Sequence, residues 1–369
     1  MVNAQDERGL IYWIWLFKLS KLTVKEKYLL LERFTHPKAI FFAKSGEMEV
    51  VLNNKKLRND DFDLGVCDID LNWLNQSDNN HIIDIGSCFY PKKLREIYDP
   101  PIVLYVKGEI NCLNDIQISI VGSRKQTASG RKIASILSGG LAKAGVTVTS
   151  GLALGVDATV HEACISSGGD TVAVLGCGID RIYPSANRAL FARVVEKGCL
   201  ISEFPLGMPP KSKNFPIRNR LISGISHGVV VIEAAMCSGS LITARLASEQ
   251  GREVFAVPGS PLSPQSRGCH YLIKQGAKLV ETVDDILEEL ALDFRNAMTI
   301  NHGIETMESP LTVKAVDDSI LQWISFDSIS QEEIIQLSGL TSAEVSSMLL
   351  DMELVGVICR DNNGFYSRL

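Results

Sequence analysis

Residues 118–131 read Ile-Ser-Ile-Val-Gly-Ser-Arg-Lys-Gln-Thr-Ala-Ser-Gly-Arg. The short, mostly apolar run Ile118–Val121 predicts a strand covered on both faces. A glycine turn follows it, and the pattern beyond predicts a helix over Arg131–Ala144. A strand passing through glycine into a helix is the repeating unit of a parallel α/β sheet. The first turn of such a helix leaves backbone N–H groups free for an anion. Arg124 stands at the turn, and its planar fork matches phosphate oxygens in pairs. A phosphate seat is therefore expected here. It could serve a mononucleotide, a dinucleotide or a nucleic-acid backbone.

Outward from this unit the rhythm repeats. Strand candidates are Thr147–Thr149, Thr171–Leu175, Leu200–Ile201, Gly228–Ile232 and Glu253–Val257, separated by helical stretches such as Leu241–Gln250. Residues 81–290 are thus expected to form a doubly wound parallel sheet of extended Rossmann type. Ligands on such sheets bind beyond the carboxyl ends of the strands, so the turns after these strands face one crevice. Residues 1–80 are expected to be helical, with apolar spacing of three and four around Leu10-Ile14-Phe17 and Tyr28-Leu29-Leu31-Phe34. The polar run Asn75–Asn80 reads as a linker or exposed turn. Residues 291–311 read as a connector and 312–369 as a separate small unit. That unit has helices at Val316–Ile324, Gln331–Leu337 and Thr341–Met352, with a tight turn Ser338-Gly339-Leu340. A hairpin of Val355–Cys359 and Gly364–Ser367 across Asp361-Asn362-Asn363 completes a winged helix.

Composition narrows the function classes. A chain of 369 residues with 46% apolar content suits two or three domains with sizeable cores. The net charge of −6 argues against a general polyanion binder, so any nucleic-acid surface must be local. Nine scattered cysteines without a C-x-x-C pair fit free thiols in a reducing cytoplasm. The six histidines are also scattered, and no metal-ligand spacing occurs, so no metal is expected. The apolar stretch Ile11–Phe17 follows Asp6, Glu7 and Arg8 and is cut short by Lys18. It is expected to be a core helix, neither a secretory leader nor a membrane span.

The turns carry the chemistry. No G-x-G-x-x-G follows the first strand, and the second ends in Thr149-Ser150-Gly151 without a carboxylate for a ribose. The triphosphate-binding G-x-x-x-x-G-K-[ST] loop is also missing, so no cofactor is expected. In Ser150–Asp157 small residues let the backbone approach a ligand. Asp157 and His161 lie one helical turn apart. They read either as an acid/base pair or as structure, with Asp157 capping the helix or bracing Arg124 and His161 as its partner. Lys211 and Lys213 precede Phe215-Pro216-Ile217-Arg218-Asn219-Arg220. Cations beside an aromatic in a loop are the mixture that binds single strands, with the ring stacking a base. The competing reading makes Phe215 core and ties Arg218 or Arg220 to acids such as Glu203 or Glu233. The expected single-stranded DNA contacts are Gly122, Ser123, Arg124, Lys125, Ser150, Gly151, Lys211, Lys213, Phe215 and Arg218. Asp157, His161, Arg220 and Glu233 are expected to brace them.

Many of these motifs occur together in one family. Tyr90-Pro91 with Leu94, Asp99-Pro100-Pro101 and Leu104–Gly108 resemble the lead-in of the DNA-processing protein A (Smf) family. Val121-Gly122-Ser123-Arg124 with Thr127 and Gly130 resembles its first core motif, and Ser150–Ala153 with Gly155, Asp157 and His161 its second. Gly178, Asp180, Tyr183-Pro184, Asn187, Ser202-Glu203, Phe215-Pro216, Arg218-Asn219-Arg220, Glu233, Ser238-Gly239-Ser240 and Pro258-Gly259 follow in order. The resemblance spans about residues 86–290. It implies a bacterial cytoplasmic protein that binds single-stranded DNA, loads the RecA recombinase during natural transformation, dimerises through the Rossmann domain and has no catalytic activity. It implies contacts at Gly122, Ser123 and Arg124 and around Lys213 and Phe215. Family members often carry a basic residue after Tyr-Pro; here Ser185 and Arg188 occupy that stretch. Residues 1–80 resemble the sterile-alpha-motif-like domain of some members, and residues 312–369 their winged helix.

Residues 312–369 hold nine acidic residues against three basic ones, a balance of −6 equal to that of the whole chain. Thr341–Met352, the segment that would read DNA, has no Arg, Lys, Asn or Gln. The winged helix is therefore expected to serve protein contacts or packing. The alternative function is a nucleotide-processing enzyme of phosphoribohydrolase type on a related Rossmann fold. Such enzymes carry Pro-Gly-Gly-x-Gly-Thr-x-x-Glu, whereas this chain has Glu233-Ala234-Ala235-Met236 before Ser238-Gly239.

Overall fold

A computed structural model describes residues 4–289, 330–355, 358–360 and 366–368. Two units are present, Met1–His302 and Gly303–Leu369. Five helices open the first: α1 (Ala4–Lys18), α2 (Val24–Phe34), α3 (Pro37–Phe41), α4 (Ser45–Val51) and α5 (Asp68–Leu74). Their apolar faces enclose Trp13, Trp15 and Trp73. The same cluster runs on to Tyr105 in the sheet, whose hydroxyl donates to Asp70 Oδ1 at 2.6 Å. Lys18 pairs with the same buried carboxylate. Asn75–Asn79 are exposed, but Asn80 is buried and already starts a strand. Its Nδ2 donates to the Trp73 carbonyl at 2.8 Å, so the linker reading ends one residue early.

The sheet comprises β1 (Asn80–Asp84), β2 (Val103–Gly108), β3 (Gln117–Val121), β4 (Thr147–Ser150), β5 (Thr171–Val174), β6 (Gly198–Ser202), β7 (Gly228–Val231), β8 (Glu253–Ala256) and β9 (Lys278–Leu279). The order is β1-β2-β6-β5-β4-β3-β7-β8-β9. All neighbours from β6 to β9 are parallel, while β1 and β2 extend the β6 edge in antiparallel fashion. The six parallel strands expected from the apolar runs are all present, and β1, β2 and β9 are additions. From β3 the chain winds outward through β4, β5 and β6, then returns to the other side of β3 for β7. The order therefore reverses between β3 and β7, where doubly wound sheets bind ligands.

The connecting helices are α6 (Lys92–Arg95), α7 (Ala128–Lys143), α8 (Val156–Ser166), α9 (Arg188–Glu196), α10 (Asn214–Ile225), α11 (Gly239–Glu249), α12 (Arg267–Lys274) and α13 (Val283–Glu289). On α7, Ala134, Leu137 and Leu141 recur at helical spacing and pack on Ile118, Ile120 and Val148 of β3 and β4. On the other face α10 lays Leu221, Ile222 and Ile225 into a second cluster with Val121, Val172 and Val229. Every residue of β3 is buried, which matches its lack of polar alternation.

In the second unit α14 (Gln331–Ser338) starts at a Ser330/Glu333 capping box and stops at Gly339 in the left-handed region. Helix α15 (Ser342–Val355) and the antiparallel pair β10 (Ile358–Arg360) and β11 (Tyr366–Arg368) follow. Ile334, Val345, Leu349, Met352 and Tyr366 form its core. Val355 ends the helix where a strand start was expected. The connector 291–311, the helix Val316–Ile324 and the turn Asp361–Asn363 lie outside the described residues.

Candidate nucleic-acid interface

Beyond Val121 the chain turns through Gly122, Ser123 and Arg124 directly onto the start of α8. Gly155 there has φ +82°, and a Cβ on it would lie 2.3 Å from the Ser123 carbonyl oxygen. Glycine meets both demands, and the following Val156 N–H donates to that carbonyl at 3.1 Å. Ser123 Oγ accepts from the Lys125 N–H at 3.1 Å. Among the described residues the N–H groups of Ser123 and Arg124 meet no acceptor. Two successive free amides on a turn form an anion-binding concavity.

The Arg124 side chain is exposed, and its guanidinium carbon stands 5.5 Å from the centre of the Phe215 ring. That cation–π contact holds the charge over the aromatic face while leaving its edge to solvent. Phe215 is half-buried at the start of α10, and Tyr183 packs against it with ring centres 5.6 Å apart. Lys125, Lys211 and Lys213 are exposed. A crevice of about 720 Å³ joins Gly122, Arg124, Tyr183, Phe215, Asn219 and Ser240. A smaller cavity of about 60 Å³ lies against Gly151, Gly176, Tyr183 and Phe215. The β3 exit, the loop before α10 and the loop after β5 thus meet in one opening.

The start of α7 differs from expectation. Thr127 caps it by accepting from the Gly130 N–H at 3.0 Å. The Thr127 N–H and hydroxyl in turn donate to Glu233 at 3.0 and 2.5 Å. The seat expected for phosphate at this helix start holds the chain's own carboxylate, the charge such an end attracts. The free amides lie upstream, at Ser123 and Arg124.

Three expected contacts lie inside the protein. The Ser150 hydroxyl is fully buried and donates to the Ile120 carbonyl at 2.7 Å. Gly151 is buried, and its carbonyl accepts from Arg218 at 2.8 Å. Arg218 is only 4% exposed; it also donates to the Val174 carbonyl and to Asn219 Oδ1. Burial lowers its pKa to about 10, with Asp157 opposing the shift. A guanidinium so occupied is closed to phosphate, and Arg218 joins the bracing residues. Its place was readable: Arg218, Leu221, Ile222 and Ile225 share one helical face.

Asp157 accepts from the Ala153 N–H at 3.3 Å. Burial raises its pKa, and the charge opposing this is Arg218, not Arg124. His161 is fully buried and pairs with Thr171 Oγ1 at 2.7 Å instead of with Asp157. Burial lowers its pKa to about 3, so it stays neutral. Arg220 pairs with Glu203 and, at 3.2 Å, with Asp99. Burial raises Glu203 to about 7 against the pull of Arg220. Two further participants went unassigned in the sequence: Tyr183, marked there only by its Tyr-Pro motif, and Ser240, whose hydroxyl donates to the Gly122 carbonyl at 3.0 Å. Among the described residues no three His, Cys, Asp or Glu side chains converge as for a metal, and no helix is long and apolar enough to cross a membrane.

Comparison with known proteins gives a consistent outcome. The family model for DNA recombination-mediator protein A matches residues 81–291, and that for the DprA winged helix domain matches residues 305–364. Protein Smf of Escherichia coli K12 is 41% identical over 294 residues, covering 79% of this chain and 78% of that protein. The DNA processing protein DprA of Streptococcus pneumoniae R6 is 44% identical over 200 residues, 54% of this chain and 71% of that protein. The crystal structure of DprA from Streptococcus pneumoniae superposes with a TM-score of 0.67 at 35% identity, covering 76% of this chain and 98% of that one. A structure of DNA processing protein A from Helicobacter pylori, described for its single-stranded DNA binding mode, superposes with a TM-score of 0.53 at 28% identity over 58% of this chain and 96% of that one.

Proposed function

This chain belongs to the DNA recombination-mediator protein A family, and on that footing we propose that it is a non-enzymatic, cytoplasmic binder of single-stranded DNA. The observation that carries the reading is the exposed Arg124 guanidinium over Phe215, beside the two free amides of Ser123 and Arg124. Arg124 and these amides take one phosphate. Lys125, Lys211 and Lys213 supply further charge along the strand, and Phe215 stacks a base. Stacking is worth about 1–3 kcal/mol per base and tolerates any sequence. Glu233 and Thr127 fix the helix behind the turn. Asp157, Arg218 and Ser150 hold the floor, and His161 and Arg220 brace the flanking elements.

Within this proposal the bound strand is protected and handed to RecA during natural transformation, by a homodimer formed through the Rossmann domain. The organisation is a helical unit over 1–80, the DNA-binding domain over 81–290, a linker over 291–311 and an acidic winged helix over 312–369 for protein contacts. A gel shift of oligo-dT against duplex, with the parent and Arg124→Ala, tests the binding step. The parent is expected to retain oligo-dT in preference to duplex, and the variant to lose it. Tight oligo-dT binding by Arg124→Ala at moderate salt would place the strand elsewhere.

A further inference from the structure

The two rings of the crevice differ in how much of each is already occupied. Phe215 lies against Gly176 just beyond β5, where a Cβ would come within 2.8 Å of its Cδ1 and 3.0 Å of its Cε1. The Arg124 guanidinium stands over that ring, and Tyr183 packs beside it. Tyr183 is freer. Phe215 is its one aromatic neighbour among the described residues, and 42% of Tyr183 is exposed. Its hydroxyl makes no hydrogen bond among the described residues, so none holds the outer end of the ring to the protein. Tyr183 lines both the large crevice and the cavity of about 60 Å³ beside it. Leu154, 46% exposed, is the other exposed apolar side chain on that cavity. A cavity so small cannot take in a base, since ligand pockets run to hundreds of Å³. Its apolar rim can instead carry one lying flat.

We propose that Tyr183 is a second base-stacking platform, which takes the nucleobase next to the one on Phe215. The inference rests on the single-strand reading above and adds one base to it. The ring centres of Tyr183 and Phe215 stand 5.6 Å apart, and the planes are 39° from parallel. Stacked bases rise by only about 3.4 Å. Two neighbouring bases therefore meet both rings only when they are unstacked from one another. A splayed single strand allows this and a duplex does not. Stacking carries no hydrogen-bond code, so the platform accepts any base.

The test is fluorescence anisotropy of the full chain with oligo-dT for Tyr183→Ala, Tyr183→Phe, Phe215→Ala and the double alanine variant, with melting curves to show that each folds. Photo-crosslinking of the parent to oligo-dT carrying 5-iodouracil accompanies it. Tyr183→Ala is expected to weaken binding about fivefold, the lower end of a base–aromatic contact. Tyr183→Phe binds as the parent does, because the platform needs the ring and not the hydroxyl. The fivefold loss recurs on top of Phe215→Ala, and crosslinks map to Tyr183. Parental affinity in Tyr183→Ala, a loss that vanishes in the Phe215→Ala background, or crosslinks that avoid Tyr183 overturns the platform and leaves Tyr183 as a prop for Phe215. Loss of oligo-dT binding in Arg124→Ala would leave the single-strand reading standing in each of those cases. Unchanged oligo-dT binding in Arg124→Ala overturns that reading instead.

Discussion

Replacing Arg218 with methionine removes a charge from the floor of the crevice while keeping most of its volume. In the parent the guanidinium ties the loop after β4 to the end of β5, through Gly151 and Val174, and its charge opposes the rise that burial imposes on the Asp157 carboxyl. Without it two carbonyls lose a charged donor, and a carboxylate stays buried with its opposing cation gone. Leaving a buried charge uncompensated costs up to about 3–5 kcal/mol. That is a large share of the roughly 5–15 kcal/mol that holds a typical fold together. Both carbonyls accept from one nitrogen, Nη1, so Arg218→Lys keeps the charge and a donor on a differently shaped side chain and should fall between parent and methionine. Asp157→Asn added to Arg218→Met should recover part of the loss, because the stranded charge is gone. The sign with pH also follows. Burial raises Asp157 in the folded state, so its contribution is favourable at low pH and is lost as pH rises through the folded value. Without Arg218 this decline steepens. Urea unfolding of the four proteins at pH 5 and pH 8 measures all of it. If Arg218→Met unfolds at the parent's urea midpoint yet fails to bind oligo-dT, Arg218 is a contact and the bracing argument is wrong.

Phe215→Ala should weaken oligo-dT binding by about 1–3 kcal/mol while Phe215→Tyr stays close to the parent, as anisotropy would show; equal loss in both would point away from stacking. Thr127→Ala removes the cap of α7 and a donor to Glu233, and urea unfolding should register about 0.5–2 kcal/mol. For His161, burial lowers the folded pKa from 6.5 to about 3. The unfolded chain then takes up a proton that the folded one refuses, so this contribution is lost as pH falls below 6.5. His161→Asn should flatten that part of the acid side of the stability profile, and an unchanged profile would show that the ring is not held neutral.

The parallel sheet was legible because strands buried on both faces read as unbroken apolar runs. β3, β7 and their exits stand where Ile118–Val121 and Gly228–Ile232 indicated. The antiparallel edge was not. β1 is five residues long, begins at Asn80 inside a polar run, and gains its place by pairing with β2. Such pairing is a tertiary choice with no local period. In the site, Arg124 and Phe215 were legible as types, a cation at a strand exit and an aromatic between bases of charge. Where each arginine of α10 points was a matter of helix phase: Arg218 shares the stripe of Leu221 and Ile222, whereas Arg220 turns towards Glu203 and Asp99. The carboxylate over the start of α7 was hidden because Thr127 and Glu233 are far apart in sequence and meet only where β3 and β7 pair.

The affinity for oligo-dT as a function of salt, measured for the parent and for Arg124→Ala, bears most directly on the crevice at the β3 exit. For single strands the logarithm of the binding constant falls with that of salt by about 0.7 for each phosphate neutralised. Arg124→Ala should bind more weakly at every salt concentration and show a slope shallower by about 0.7. Superimposable lines for the two proteins would mean that no phosphate sits at Arg124.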